Sequence, residues 1–493
     1  MTGYKHGSYS ELGNSVAKSA IQSSTVALYV GVAPVHLIQG YAEAEIVNLP
    51  VKVQNFTDAQ KKLGYSEDWD KYTLCEAMAA HFDNGIQNIG PIYCINVLDP
   101  DKHRKSEPTT VSVTFTNNVA EIKTDTAIID TVAIANYVKD KDYTVDYDFN
   151  TGKVIISKIN NEISNQINVG YYEIDLANVD ETTIIGGTTA NGETTGFAAI
   201  KHLYLRENQV LNLLGCPKYS ENPKVYAKMI TACTKINGHW DAFFCADIPI
   251  KDGSNSVDTF VKARNWRKEN GYDSERSEIS WPQWQDAKTK RIYHISTLNI
   301  VNYMIADEDH DGIPMKNASN MQLPTGKQYF GENSKNQGFD QDEATSELNS
   351  YGISTGVFWG GQCVTWGGNT ANYQYGKDID VRSIDSHYMR MLFFVMNGFQ
   401  TRHASQIDGD FDRHLKDSIL DEEQENIDTY ISKGGLLQGS KILFLSTENP
   451  TSDMINGDWH FDLPITVTPR AKSLTGKVYY TDEGLTSLVE EVA

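Results

Sequence analysis

The chain has no long hydrophobic run, and none of its apolar stretches approaches the ~18 residues that a membrane-spanning helix requires. The opening Met1-Thr2-Gly3-Tyr4-Lys5-His6-Gly7-Ser8-Tyr9 lacks the cationic and apolar regions of a signal peptide, so a cytosolic location without membrane insertion is expected. Cysteine is scarce. Cys75, Cys94, Cys216, Cys233, Cys245 and Cys363 are dispersed without a C-x-x-C pair, several within apolar segments, which reads as reduced core thiols and excludes a zinc knuckle. Proline is scarce too, at 14 residues against 37 glycines, and with 40% apolar and 10% aromatic residues this excludes collagen-like and disordered classes. Positive charge is in deficit. A net charge of −22 repels phosphate backbones and anionic lipid, so nucleic acid is not an expected partner. The twelve histidines form no H-E-x-x-H, and no Walker A or G-x-G-x-x-G sequence follows a strand, so metal hydrolases, NTPases and dinucleotide enzymes lose support and no cofactor is expected.

What is present is enough chain, 493 residues, for about three domains. Residues 1–24 are polar and Ser/Gly-rich, an arm. Thr25 to Ala33 is a β-branched, uncharged strand ended by Pro34, Thr57 and Gln60 form a capping-box pattern for a helix over 58–63, and Leu74, Met78 and Phe82 keep helical spacing up to Gly85. Pro91 to Leu98 returns to strand, and this order implies a parallel sheet with right-handed crossovers. From about 108 the period becomes two: Tyr143, Val145 and Tyr147 face Val154 and Ile156 across Asn150-Thr151-Gly152, an all-β insert. The α/β pattern resumes with helices near 198–214, 223–236 and 256–269 and strands at Ala242–Asp247 and Arg291–Leu298. After about 345 come a glycine and aromatic segment, a helix using Ile384, Tyr388, Met391, Leu392 and Val395 closed by Gly398, and a helix from Leu415 to Ile431 stopped by Gly434-Gly435. The remainder, with Ile465-Thr466-Val467 and Lys477-Val478-Tyr479-Tyr480-Thr481, alternates as strand before a terminal tail. The expected boundaries are 1–24 N-terminal arm, 25–102 and 191–345 two parts of one α/β core, 103–190 β insert, 346–476 α+β C-terminal domain, and 477–493 C-terminal arm.

Three motifs bear on chemistry. Gly352-Ile353-Ser354-Thr355-Gly356 matches G-x-S-x-G, but neither an apolar strand before it nor a helix start after it is recognisable, so it reads as a glycine-rich loop, with a serine hydrolase using Ser354 as the alternative. Asp307, Asp309, Asp311 and Gly312 reproduce the first half of an EF-hand loop, yet position twelve is Ala318, so a solvated acidic turn is favoured over a calcium site. Asp421, Glu422, Glu423 and Glu425 place carboxylates on the expected solvent face of the second C-terminal helix. The β insert and eight tryptophans also leave a carbohydrate-binding array as a third class of reading.

Several segments together resemble the tail sheath protein of contractile bacteriophages and related contractile injection devices. They are Val32-Ala33-Pro34; Phe56-Thr57-Asp58-Ala59 to Leu63-Gly64; Gly312-Ile313-Pro314 followed by Ala318-Ser319-Asn320; and Thr365-Trp366-Gly367-Gly368-Asn369-Thr370. Asp380-Val381-Arg382 and Gly434-Gly435-Leu436-Leu437-Gln438-Gly439, followed by Asn449 and Gly457, extend the resemblance into the C-terminal part. Ala318 and Thr370 stand where the family pattern has proline and arginine. The resemblance implies a subtilisin-like sheath core without protease activity, an outward-facing insert, and no enzyme. It implies a structural subunit that polymerises helically with itself around a tail tube protein, meets baseplate and tail terminator proteins, and contracts. The protein would assemble in the host cytoplasm and end in a virion tail or released particle. Residues Lys477, Val478, Tyr479, Tyr480 and Thr481 would then be an inter-subunit strand, and the carboxylates of Asp421 to Glu425 would face the tube.

Overall fold

The uncharged, β-branched stretch around Val26 to Val30 has no polar face to give to water, and it lies at the centre of a sheet in the computed structural model, which describes residues 21–488. The described chain divides into a unit ending at Asp412 and a second beginning at Arg413. In the first, Ile21–Gly31 (β1) joins Val51–Val53 (β2), Ile89–Asn96 (β3), Leu213–Gly215 (β4), Phe243–Asp247 (β5), Ser277–Ser280 (β6), Ile353–Trp359 (β7) and Gln362–Trp366 (β8). Their spatial order is β2-β3-β1-β4-β5-β6-β7-β8, parallel from β3 to β7 with an antiparallel strand at each edge. The expected parallel core is therefore present, but it begins at Ile21, so residues 21–24 are strand and not arm. Residues 1–20 of the expected N-terminal arm and 489–493 of the C-terminal one lie outside the described residues.

Helices cover both faces. Ile295–Glu308 (α5) meets the Glu278 and Ser280 side of β6 through Asn299, while Pro223–Ala232 (α3) meets the opposite side through Tyr226 and Ser277. Leu74–Phe82 (α2) shares the α5 face, with Tyr29 donating its hydroxyl to His81 Nε2 at 2.7 Å. Every residue of α2 and Ile295 through Asp307 of α5 is buried. That burial corrects the expected strand at Arg291–Leu298. An apolar run without period fits a strand or an all-round buried helix equally, and only Ile292–Tyr293 pairs as strand before α5 starts.

Other boundaries move for local reasons. Phe56–Leu63 (α1) is capped by Asn55, whose side chain accepts from Asp58 N, instead of by Thr57, and ends at Gly64 with φ +72°. The helix expected over 198–214 stops at Glu207, where Asn208 turns left-handed and leads into β4. Phe260–Glu269 (α4) starts after a small hairpin, and Ser386–His403 (α6) runs through Gly398 instead of closing there. The largest correction is at 345: β7 and β8 belong to the core sheet, so the core continues past the expected start of the C-terminal domain, and of the expected loop over 352–356 only Gly352 is a turn, while 353–356 is strand.

The β insert consists of two three-stranded sheets, Thr109–Thr114 with Gln166–Tyr171 and Ala133–Ile134, and Val119–Lys123 with Lys153–Lys158 and Tyr143–Asp148. Val145 pairs with Ile156 and Tyr147 with Val154, as the alternation predicts. The insert closes through Lys105 N to Glu173 O at 2.9 Å and Asp175 N to His103 O at 2.9 Å. Beyond it, Val179, Ile184, Phe197 and Ile200 pack in the main core, so its C-terminal boundary lies near 174 and not 190.

In the second unit, Arg413–Ser432 (α7) precedes Gly434 at φ +85°. The β structure expected after it is reduced to two antiparallel bridges, Leu436 with Val467 and Leu443 with Asp462, separated by the short helix Thr451–Asn456.

Candidate assembly surfaces

In a doubly wound sheet, ligand crevices open at the carboxyl ends of the strands where the order reverses, here between β1 and β4. That place is filled. His294, at the start of α5, binds Glu76 of α2 through Nδ1 at 2.7 Å and through its backbone N at 2.6 Å, and its Nε2 lies 3.3 Å from Glu221. Burial alone would lower the His294 pKa, but Glu76 and Glu221 raise it well above the usual value. Beside it, Asp247 accepts from Ser296 N at 3.1 Å and from the Ser296 hydroxyl, and burial pushes its pKa up to about 6. These side chains are buried or nearly so, and they tie the first half of the core (α2) to the second (β5, α5).

The sequence candidates scatter. Ser354 is 1% exposed on β7 and its hydroxyl accepts from Asn299 Nδ2 at 3.4 Å; among the described residues no histidine is bonded to it, so the nucleophile arrangement is not assembled. Asp307 is not part of a solvated turn. It is buried, forms a bidentate pair with Arg390 of α6, and accepts from Thr25 Oγ1 at 2.7 Å, whereas Asp309 and Asp311 are exposed. Burial holds the Asp307 pKa above the usual carboxylate value, opposed by Arg390 and Thr25. No group of three or more potential metal-ligating side chains occurs among the described residues. The six cysteines are free and buried, and burial pushes thiols such as Cys94 up to about 12, away from the thiolate.

On α7, Asp421, Glu422 and Glu425 are exposed and, with Asp428, leave one side of the helix acidic; Glu423 is 1% exposed, one position out of phase with that side, and leaves the expected set. The segment Lys477 to Thr481 has no regular structure, and its Val478 and Tyr480 side chains are 98% and 88% exposed. Within the same unit, residues 435–443 and 462–468 lie side by side through Leu437 N to Thr466 O at 2.9 Å, Lys441 N to Pro464 O at 3.1 Å and a reciprocal Leu443–Asp462 pair at 2.8 and 3.0 Å. Sequence reasoning missed the buried Asp307–Arg390 pair and the polar strand β6, whose Glu278 accepts from Tyr303 and from Asn299 at 2.7 Å. Ser277-Glu278-Ile279-Ser280 ahead of Trp281 has no alternation of apolar and polar residues that would have marked β6 as a strand.

No family model and no curated protein matches the chain. Solved structures do, and they define the class: this is the fold of the sheath proteins of contractile injection systems, covered nearly end to end. A chain of the anti-feeding prophage (AFP) baseplate is 13% identical with a TM-score of 0.56, over 96% of this chain and 98% of that one. The PVC sheath complex of an extracellular contractile injection system, in its contracted state, is 11% identical with a TM-score of 0.53, over 98% and 99%. The AFP helical sheath in its contracted state is 13% identical with a TM-score of 0.50, over 97% and 99%.

Proposed function

We propose that the chain is a structural, non-enzymatic subunit of a contractile sheath, which polymerises helically around an inner tube and shortens to drive the tube through a target envelope. The observation that carries this is the end-to-end likeness to chains of sheath complexes, which extends over the β insert and the second unit as well as the α/β core. The core is then the subtilisin-like domain of such subunits, with the crevice position occupied by structural side chains and Ser354 sealed in the sheet. The alternative, a serine hydrolase, has no supporting geometry among the described residues.

A sheath must slide without separating, which calls for links that hold while rigid bodies repack. The exposed Lys477–Thr481 segment suits such a link. A donated strand of ~5 residues forms ~4 backbone hydrogen bonds worth ~0.5 to 1.5 kcal/mol each, against ~1 to 2 kcal/mol per residue of ordering entropy, so a single arm is marginal and many are cooperative. The two-segment ladder at 435–443 and 462–468 is the host we assign to it in a neighbouring copy. The acidic side of α7 at Asp421, Glu422 and Glu425 is assigned to the tube, and the remaining partners are baseplate and terminator proteins. The protein would act in a virion tail or released particle after assembly in the host cytoplasm; no described helix is long and apolar enough to cross a membrane. Negative-stain microscopy of the full chain, alone and with its tube protein, tests this. Sleeves with a helical repeat are expected, and a variant ending at Gly476 should stay folded but form none; a full chain that forms no sleeve under either condition refutes the reading.

A further inference from the structure

The joint between the two halves of the core holds more carboxyl groups than cations. His294, just before α5, meets Glu76 of α2 and Glu221 at the end of the turn Tyr219–Glu221, and Asp247 ends β5 beside them. One imidazolium among three carboxyl groups leaves two negative charges uncompensated when all three are ionised. Glu76 is answered by His294 at both oxygens, through the backbone N at 2.6 Å and Nδ1 at 2.7 Å, and the Glu221 side chain keeps 19% of its surface in water. Asp247 has neither. It is 3% exposed, and its partners are the Ser296 backbone N at 3.1 Å, the Ser296 hydroxyl, and the Ser220 hydroxyl at 3.4 Å, all uncharged.

Those partners serve both protonation states. A hydroxyl donates to a carboxylate and accepts from a carboxylic acid, so Ser220 and Ser296 change roles by rotating a hydrogen. Burial, the largest influence, favours a proton on Asp247 and Glu221 adds to it, whereas His294 and the Ser296 bonds favour the charge; the balance falls at about 6. Tyr272, whose hydroxyl donates to Ser220 O at 2.8 Å, and Cys245 on the same strand also face Asp247, and Tyr29 and Tyr293 face Glu76. Burial raises the pKa of all four, so they stay neutral where Asp247 titrates.

We propose that Asp247 is a proton switch in this joint: in acid it is neutral and the start of α5 closes on β5, and in mild alkali it is charged and loosens the same contact. An unfolded aspartate titrates at ~3.9, below the folded value, so the stability Asp247 contributes is complete below ~3.9 and is lost as pH rises through about 6. The buried His36 and His81 act in the opposite sense, so the switch is read as a difference between variants and not from the pH curve of the unmodified chain. It does not depend on the sheath reading.

The test compares the full chain with Asp247→Asn, a neutral replacement of the same shape. On acidification from pH 8 to pH 5, infrared difference spectra of the unmodified chain should gain the C=O stretch of a buried carboxylic acid with a midpoint near 6, and Asp247→Asn should lack it. In urea, moving from pH 5 to pH 8 should lower the folded-to-unfolded ratio of the unmodified chain roughly tenfold more than that of Asp247→Asn. Ser296→Ala, which removes a donor to the charged form, should shift the infrared midpoint upward. A band that persists in Asp247→Asn, or the same pH dependence of stability in both chains, overturns the switch and leaves the sheath reading standing. If Asp247→Asn does not fold, an unmoved midpoint in Ser296→Ala overturns it instead.

Discussion

Replacing Asp307 by Asn leaves Arg390 buried without a counter-charge, and the structure sets how much that costs. Asp307 holds Arg390 by two charged hydrogen bonds and Thr25 by a third at 2.7 Å, all buried, so α5, α6 and β1 meet at one carboxylate. The Arg390 guanidinium also lies 4.3 Å over the Tyr303 ring, which holds it in place. Breaking one side of a buried pair costs about 3 to 5 kcal/mol, mostly as the desolvated charge left behind. With an unfolding entropy of about 2.1 cal/mol/K per residue over the roughly 390 described residues of the first unit, the midpoint should fall by about 4 to 6 °C. Removing both charges, as Asp307→Leu with Arg390→Met, should recover most of that loss, since no uncompensated charge remains. Differential scanning calorimetry of Asp307→Leu, Arg390→Met and the double variant closes the cycle. A drop below 1 °C for Asp307→Asn, or a double variant as unstable as the sum of the singles, would refute the argument that this pair is a mutually dependent buried unit.

Three further outcomes follow from other parts of the structure. Burial pushes His36 down to about 4 and His81 down to about 3, so each stabilises fully above the unfolded pKa near 6.5 and loses that contribution as pH falls through the window below it; at pH 5 each costs about 2 kcal/mol, and His81→Gln should measurably flatten the acid limb of a stability-against-pH curve. Deletion of residues 105–173 with a short Gly-Ser link should leave a soluble core, because the flanking segments stay joined by the Asp175 N–His103 O bond, whereas deletion of 103–190 should give insoluble protein by removing Val179 and Ile184 from the main core. On α7, Lys at Asp421, Glu422 and Glu425 should leave the circular dichroism spectrum and melting unchanged while weakening association with a tube protein, and Lys at the buried Glu423 should destabilise the second unit itself.

How much of this was legible in sequence follows from whether a signal is local. Strand β1, helix α2, the insert's pairing of Val145 with Ile156 and the stop of α7 near Gly434 were all readable, because β-branched runs, helical spacing, period-two alternation and a glycine's freedom act over a few residues. The sheath resemblance was readable for the same reason, being carried by short segments such as Phe56 to Gly64. What only the tertiary structure decided depends on partners distant in sequence. Asp307 sits in an acidic stretch that suggests water, and it is buried because Arg390 arrives from a helix 83 residues away. Glu423 belongs to a charged run and turns inward because helical phase sets it apart from Asp421 and Glu425. The polar strand β6 carries little strand propensity, and it is a strand because β5 on one side and β7 on the other satisfy its backbone groups. The α5 segment could not be told from a strand by its apolar content alone; it is a helix because the sheet below and α2 beside it bury it on all sides, and burial on every side erases the period that sequence reading relies on.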